Sequence, residues 1–124
     1  MIKSLYTTEI ANRYKNLKYW DINVTNLTTT IKPSLPNCTV KLYLNITLDN
    51  DVIKDIKYHL SGEIFCFVLC ELIIDNILNK SINYATSFVS NIDNNNELNK
   101  FLVSINSHKV VRYFLIALDR VSDI

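Results

Sequence analysis

Thiols and imidazoles are the side chains with the widest chemistry here, because both can bind metals or act in nucleophilic catalysis. They are Cys38, His59, Cys66, Cys70 and His108. Cys66 and Cys70 lie four residues apart, a spacing that places both thiols on one face of a helix, where they could serve a metal. Their neighbours are apolar, however. The sequence therefore predicts that these two thiols are buried core groups.

Composition excludes several classes of protein. The chain has 124 residues, 48% of them hydrophobic and 20% charged, which predicts one packed domain over residues 1–124. The formal net charge of +1 argues against a dedicated nucleic-acid or polybasic membrane surface. A single glycine excludes the Gly-rich phosphate loops, which need several glycines for a close backbone approach.

Cysteine usage points to a reducing compartment. An odd number of cysteines, 3, does not make a disulfide framework, so we expect a cytoplasmic protein. No signal peptide is recognised in the first residues. The most apolar segment, Ile64 to Ile74, contains Glu71 and falls short of the ~20 apolar residues that a membrane-spanning helix needs.

Alternating residues give the clearest structural signal. Apolar residues alternate with polar ones over Val40–Leu48, as in a strand with one buried face. Asp49-Asn50-Asp51 is typical of a turn, and Val52–Leu60 forms a second strand, which predicts an antiparallel hairpin. A Thr-rich stretch predicts a third strand over Leu27–Ile31.

Helical patterns flank these strands. Ile64–Leu78 is apolar almost all round and predicts a central helix, preceded by the capping residue Ser61. Other helices are predicted over Thr7–Tyr19, Ser81–Val89, Glu97–Val103 and, capped by Ser107, up to Val121. Segregated strands and helices indicate an α+β fold, in which helices pack on one face of a three-stranded antiparallel sheet.

This order of elements, together with particular residues, resembles the IscU and NifU N-terminal type of Fe–S cluster assembly scaffold. Tyr6, Ile10, Tyr14 and Asn16 match the spacing of the family's first helix, and Lys80-Ser81 follows the long helix as in the family. Cys38 stands at the first ligand cysteine, and Gly62-Glu63 stands where the family has Gly-Cys. Ser107-His108 stands where His-Cys is usual, and a one-residue shift places His108 on either position.

The resemblance implies a metal site made of Cys38, Glu63 and His108. One thiolate, one carboxylate and one imidazole suit zinc with an open fourth position, whereas a [2Fe–2S] cluster wants four ligands that are mostly thiolates. Each residue also has a simpler interpretation. Cys38 is then an inert small hydrophobe, Glu63 a carboxylate favoured by the helix dipole, and His108 a surface imidazole.

Two functions follow from the resemblance, and neither is enzymatic. The first is a scaffold-like carrier in Fe–S cluster assembly that binds metal, either iron as a cluster or zinc, and receives sulfur from a cysteine desulfurase. The second is a non-catalytic binding or regulatory paralogue that keeps the fold and a desulfurase-docking surface. A small thiol enzyme using Cys38, paired with His108, is a weaker alternative. Contact with the family's Hsp70-type chaperone is not expected, because residues 102–106 have neither the prolines nor the lysine of its Leu-Pro-Pro-Val-Lys tract.

Overall fold

The computed structural model describes residues 8–26, 40–102 and 104–122. Helix α1 spans Thr8–Lys15, strands β1 and β2 span Lys41–Asp49 and Val52–Ser61, and helix α2 spans Ile64–Ile77. Helices α3 and α4 span Ile82–Ser90 and Ile105–Ser122. Short 3₁₀ helices cover Ile22–Asn26, Ile92–Asn94 and Asn99–Phe101. The fold is α+β, as predicted.

The predicted hairpin is confirmed. β1 and β2 pair antiparallel from Lys41 opposite Ser61 to Asp49 opposite Val52. Asn50 and Asp51 join the strands with φ of 52° and 66°. Positive φ at both positions is the mark of a type I′ turn, whose twist matches that of the strands.

The sheet of the described residues has two strands rather than the three that the sequence predicts. The predicted strand Leu27–Ile31 lies outside those residues. The segment that begins at Tyr19 supplies a short substitute for a third strand. The N–H of Tyr58 donates to the Tyr19 carbonyl at 3.0 Å, and the N–H of Asp21 donates to the Tyr58 carbonyl at 2.8 Å, which makes a single parallel bridge at Trp20.

A bulge in β2 interrupts the simple alternation of buried and exposed side chains that the sequence predicts. The register shifts after Thr47, which pairs with Asp55, because Leu48 pairs with Ile53. The bulge leaves Lys54 exposed and lets Ile53 and Ile56 face the core together although they are three residues apart.

Helix α2 is central, as predicted. Its residues Phe65, Cys66, Val68, Leu69, Cys70, Ile73, Ile74 and Ile77 are buried in one core with the inner face of the hairpin and with α3 and α4. Both cysteines of α2 are fully buried, so their prediction as core residues is confirmed.

Three predictions at the helix ends are wrong or need adjustment. Ser61 is the last residue of β2 rather than a cap, and Glu63 occupies the N-cap of α2 without a side-chain capping bond. The last helix begins at Ile105, so Ser107 lies inside it. Ser104 takes the capping role, because its Oγ accepts from the Ser107 N–H at 3.2 Å while Ser107 Oγ accepts from the Ser104 N–H at 3.1 Å.

Candidate metal-binding end of the hairpin

Four chain segments meet at the open end of the hairpin. The register places the start of β1 beside the end of β2, since Lys41 pairs with Ser61. Gly62, the only glycine of the chain, follows β2 and lies close to the start of β1. A Cβ built on Gly62 would lie 3.5 Å from a Val40 methyl group, which is an ordinary van der Waals contact. The N-termini of α2 and α4 complete this end, because the Asn106 side-chain amide donates to Glu63 Oε1 at 2.8 Å.

The described structure includes two of the three metal-site residues that the resemblance implies, Glu63 and His108. Glu63 is exposed at the N-cap of α2, and His108 is exposed in the first turn and a half of α4. Cys38 lies outside the described residues, two positions before Val40 in the sequence. The residue of α4 that contacts Glu63 is Asn106, and a residue two positions further along a helix lies about 200° around its axis. His108 therefore points away from the side of α4 that meets Glu63.

No group of three or more His, Cys, Asp or Glu side chains within the described ranges is arranged to hold a metal ion. The thiols of α2 do not change this. Burial raises the pKa of the Cys70 thiol well above its ordinary value, and a buried thiol is a poor source of the thiolate that binds metals. The site of Cys38, Glu63 and His108 remains a prediction.

Tyr113 links α4 to the start of β1. Its hydroxyl is buried and donates to the Val40 carbonyl at 3.0 Å. Together with the Asn106 bond to Glu63, this contact ties α4 to both sides of the open end of the hairpin. Neither Asn106 nor Tyr113 is singled out by the sequence, because an Asn among many and a Tyr on an apolar helix face carry no spacing signal.

A buried carboxylate in the middle of α2 forms a second polar cluster. Glu71 is 4% exposed and accepts from the backbone N–H groups of Lys18 at 2.8 Å and Tyr19 at 3.1 Å. The Tyr58 hydroxyl donates to the same carboxylate at 2.9 Å. Burial raises the pKa of Tyr58, so this hydroxyl stays protonated and remains a donor. The one sequence signal for this cluster is a lone charge in the most apolar segment.

A surface ion pair borders this cluster. Asp75 accepts from Lys18 Nζ at 2.9 Å and from the Tyr19 hydroxyl at 2.5 Å. The hydrogen bond with Asp75 raises the pKa of Lys18, and partial burial, followed by Asp75, raises the pKa of Tyr19. A pocket of about 360 Å³ lies here, lined by Asn12, Arg13, Asn16, Lys18, Glu71 and Asp75. Its carboxylates are already engaged by protein donors, so we assign the cluster a structural role.

No helix within the described ranges is long and apolar enough to cross a membrane.

Comparison with known proteins shows which fold this chain shares. No family model matches the chain, and no curated protein matches it in sequence. Among solved structures, a protein from Fervidobacterium islandicum AW-1, described as an iron–sulfur cluster assembly scaffold for the SUF system, superimposes with a TM-score of 0.62 at 18% identity, over 97% of this chain and 96% of the other. A NifU-like N-terminal protein from Brucella abortus gives 0.60 at 12% identity, over 98% and 92%. The chain therefore has the fold of the NifU-like and SufU scaffold proteins, the family that its sequence resembles.

Proposed function

We propose that this chain is a divergent, scaffold-like protein of cytoplasmic iron–sulfur cluster biogenesis that does not assemble a cluster itself. The observation that carries the proposal is the small number of cysteines that could bind metal in a chain with this fold. Cys66 and Cys70 are both 0% exposed in α2, which leaves Cys38 as the one remaining cysteine of the chain. A [2Fe–2S] cluster is held by four ligands that are mostly thiolates, so the cluster as cargo does not fit this donor set.

Zinc fits the remaining donors better. Cys38, Glu63 and His108 would supply one sulfur, one oxygen and one nitrogen, which zinc accepts in sites with an open fourth position. The Asn106 bond to Glu63 supports this role, since carboxylates that bind metals are usually hydrogen-bonded on their other side. For His108 to join them, the first turn of α4 must adjust, and we expect weak binding for that reason.

The proposed partner is a cysteine desulfurase rather than an Hsp70-type chaperone. Residues Ile105–Ser122 are helical. The chaperone tract of the resembled family needs an extended segment preset by proline, and unwinding the start of α4 would add to the cost of binding. A surface for nucleic acid is not part of the proposal.

Two alternatives remain from different classes. A non-catalytic regulatory paralogue would bind the desulfurase without any metal. A thiol enzyme would need Cys38 as its nucleophile, with a depressed thiol pKa. Metal content separates the regulatory paralogue from our proposal. Labelling of a single cysteine by a thiol reagent at neutral pH separates the thiol enzyme from it.

Anaerobic purification followed by metal analysis and visible spectroscopy tests the proposal. We expect a colourless protein with less than one zinc per chain, and we expect this zinc to be lost in Cys38→Ser but kept in the control Cys66→Ala. Reconstitution with ferrous iron and sulfide should leave the protein colourless. A brown protein with about one cluster per chain or per dimer would show that the chain assembles a cluster, and it would overturn the proposal.

A gain-of-ligand variant sharpens the test. Glu63→Cys adds a second thiol where the carboxylate lies, so it should tighten zinc binding if Cys38 lies near it. The matched control is Ser90→Cys, which adds a thiol at an exposed position at the end of α3. Equal zinc affinity in the two variants would place Cys38 away from Glu63 and remove the site.

A further inference from the structure

A pocket of about 330 Å³ lies beside the C-terminal half of α3 and the residues that follow this helix. Two aromatic rings, one hydroxyl and three amides line it, from Tyr84, Ser87, Phe88, Asn91, Asn94 and Asn95. Its volume falls in the range of small-ligand sites, ~300–1,000 Å³. None of these six residues belongs to the segments that meet at the open end of the hairpin, so the pocket is separate from the proposed metal site.

Two nearly parallel aromatic rings form the apolar wall of this pocket. Tyr84 and Phe88 are four residues apart, which places them on one face of α3, and their ring planes are inclined by 12° with centroids 6.4 Å apart. Lys80 Nζ lies 5.3 Å from the centroid of the Tyr84 ring, a cation–π contact that helps to hold this ring. Tyr84 is nevertheless 47% exposed. An exposed aromatic ring of this kind provides a surface on which a planar ring can stack.

Hydrogen bonds to the backbone fix the orientation of two of the amides. Asn91 Nδ2 donates to the Ser87 carbonyl at 2.8 Å. Asn95 Oδ1 accepts from the N–H groups of Glu97 at 2.9 Å and Leu98 at 3.1 Å. Within the described part of the chain, Asn91 Oδ1 receives no donor and the Asn95 NH₂ group finds no acceptor. The two amides therefore offer one acceptor and one donor to a ligand.

We propose that this pocket binds a neutral planar base that carries an amino group next to a ring nitrogen, as the adenine of a free nucleoside does. The amino group donates to Asn91 Oδ1, and the ring nitrogen accepts from the Asn95 NH₂ group, the donor and acceptor types with which amide side chains recognise adenine. Tyr84 and Phe88 stack on the base. The six lining residues carry no charge, which favours a neutral base over an ionic ligand.

Such a site differs from the usual nucleotide sites of proteins. It recognises the base rather than a phosphate, so it does not need the Gly-rich loops that a chain with a single glycine lacks. Without a phosphate contact the affinity is modest. For a ligand of the size of adenosine, we expect a Kd of ~0.1–1 mM. The inference goes beyond the proposed function and does not depend on any metal.

An NMR titration of the full chain with adenosine tests this proposal. We expect saturable shifts at the backbone amides of α3 and of residues 91–98. Tyr84→Ala should weaken binding at least about fivefold, whereas Tyr84→Phe keeps the ring and should bind as the wild type does. Purine riboside lacks the amino group of adenosine and should bind about 3- to 10-fold more weakly.

Asn95→Asp separates the donor to the base from the support of the loop. A carboxylate still accepts from the N–H groups of Glu97 and Leu98 but has no N–H for the base, so the fold should persist while adenosine binding weakens about 3- to 10-fold. Asn94→Asp adds the same charge to the same pocket, leaves both fixed amides in place and is the matched control. It should bind adenosine as the wild type does.

Three results would overturn the proposal. The first is an absence of saturable shifts with adenosine in the wild type. The second is equal affinity for adenosine and purine riboside, which would show that the amino group is not recognised. The third is wild-type affinity in Asn95→Asp when circular dichroism shows the variant to be folded. Methyl glucoside serves as the arm for a sugar ligand, and binding of this sugar in place of adenosine would likewise overturn it.

Discussion

At the scale of single residues, Glu71 is the most consequential polar group in the described structure. Its carboxylate accepts two backbone N–H groups and the Tyr58 hydroxyl, and so joins the segment after α1 to α2 and β2. A buried charge is stable only when hydrogen bonds replace its water, and these three donors do so. The lone charge in the apolar helix is therefore the point at which three elements are tied together.

Glu71→Gln should destabilise the protein, because an amide NH₂ would face backbone N–H donors. We expect a loss of about 2–3 kcal/mol in the free energy of unfolding, measured by urea denaturation. Tyr58→Phe removes one donor and should cost about 1–1.5 kcal/mol. The control Asp93→Asn, at an exposed position, should change stability by less than about 0.5 kcal/mol. An unchanged midpoint for Glu71→Gln would show that the cluster contributes nothing to stability.

At the scale of elements, the hairpin is organised by its two-residue turn and its bulge. Asn50 and Asp51 both adopt positive φ. This backbone conformation costs little free energy for Asn and more for Asp, and glycine adopts it readily because it has no Cβ. Asn-Gly is the preferred sequence for such a turn. The N–H of Ile82 also donates to the Asp51 carbonyl at 2.9 Å, so the turn anchors the start of α3 through a backbone contact.

Asp51→Gly should therefore stabilise the hairpin. The contact with Ile82 uses the backbone and survives the substitution. We expect a gain of about 0.5–1 kcal/mol in the free energy of unfolding. As a matched control, Asp49→Gly replaces a strand residue and should destabilise the protein. A loss of stability in Asp51→Gly would mean that the Asp51 side chain has a role in the turn.

The elements also show what could be inferred from sequence. Alternation predicts the hairpin and its inner face because a one-residue slip would expose every aliphatic side chain. The bulge at Lys54 was not predictable, since only pairing reveals it. Ser107 has the residue type of a helix cap, but Ser104 lies three residues earlier and accepts from the Ser107 N–H. The sequence predicts that Glu63 and His108 lie near the starts of two helices, where the structure has them, with Glu63 at the N-cap rather than in the first turn. Which side of α4 faces α2 depends on packing that no local pattern encodes.

At the scale of the whole molecule, buried protons couple stability to pH. Burial raises the pKa values of Cys70 and Tyr58, so the native state keeps their protons. In the unfolded chain these groups ionise near pH ~8.5 and ~10. Their contribution is fully present below those values and is lost as pH rises above them, because the unfolded state then binds fewer protons.

The free energy of unfolding should accordingly fall on the alkaline side. The slope approaches about 1.4 kcal/mol per pH unit for each such group above its unfolded-state pKa, first for Cys70 above pH ~8.5 and then for Tyr58 above pH ~10. Urea denaturation at a series of pH values from 7 to ~10.5 measures it. Cys70→Ala should flatten the first part of the decline while lowering stability at neutral pH through the cavity it leaves. A stability that stays constant up to pH ~10 would contradict the burial of Cys70.

The single tryptophan gives the molecule a built-in optical reporter. Trp20 lies in the segment bridged to β2, and its ring centroid is 5.4 Å from that of His59. Its emission is therefore expected to respond to the ring contact with His59 and to the bridge with β2. Release of residues 19–21 from β2 separates indole from imidazole while the hairpin itself stays paired. Fluorescence will follow the detachment of this edge, and circular dichroism will follow the rest of the fold, so local opening and global unfolding can be timed separately in the unmodified chain.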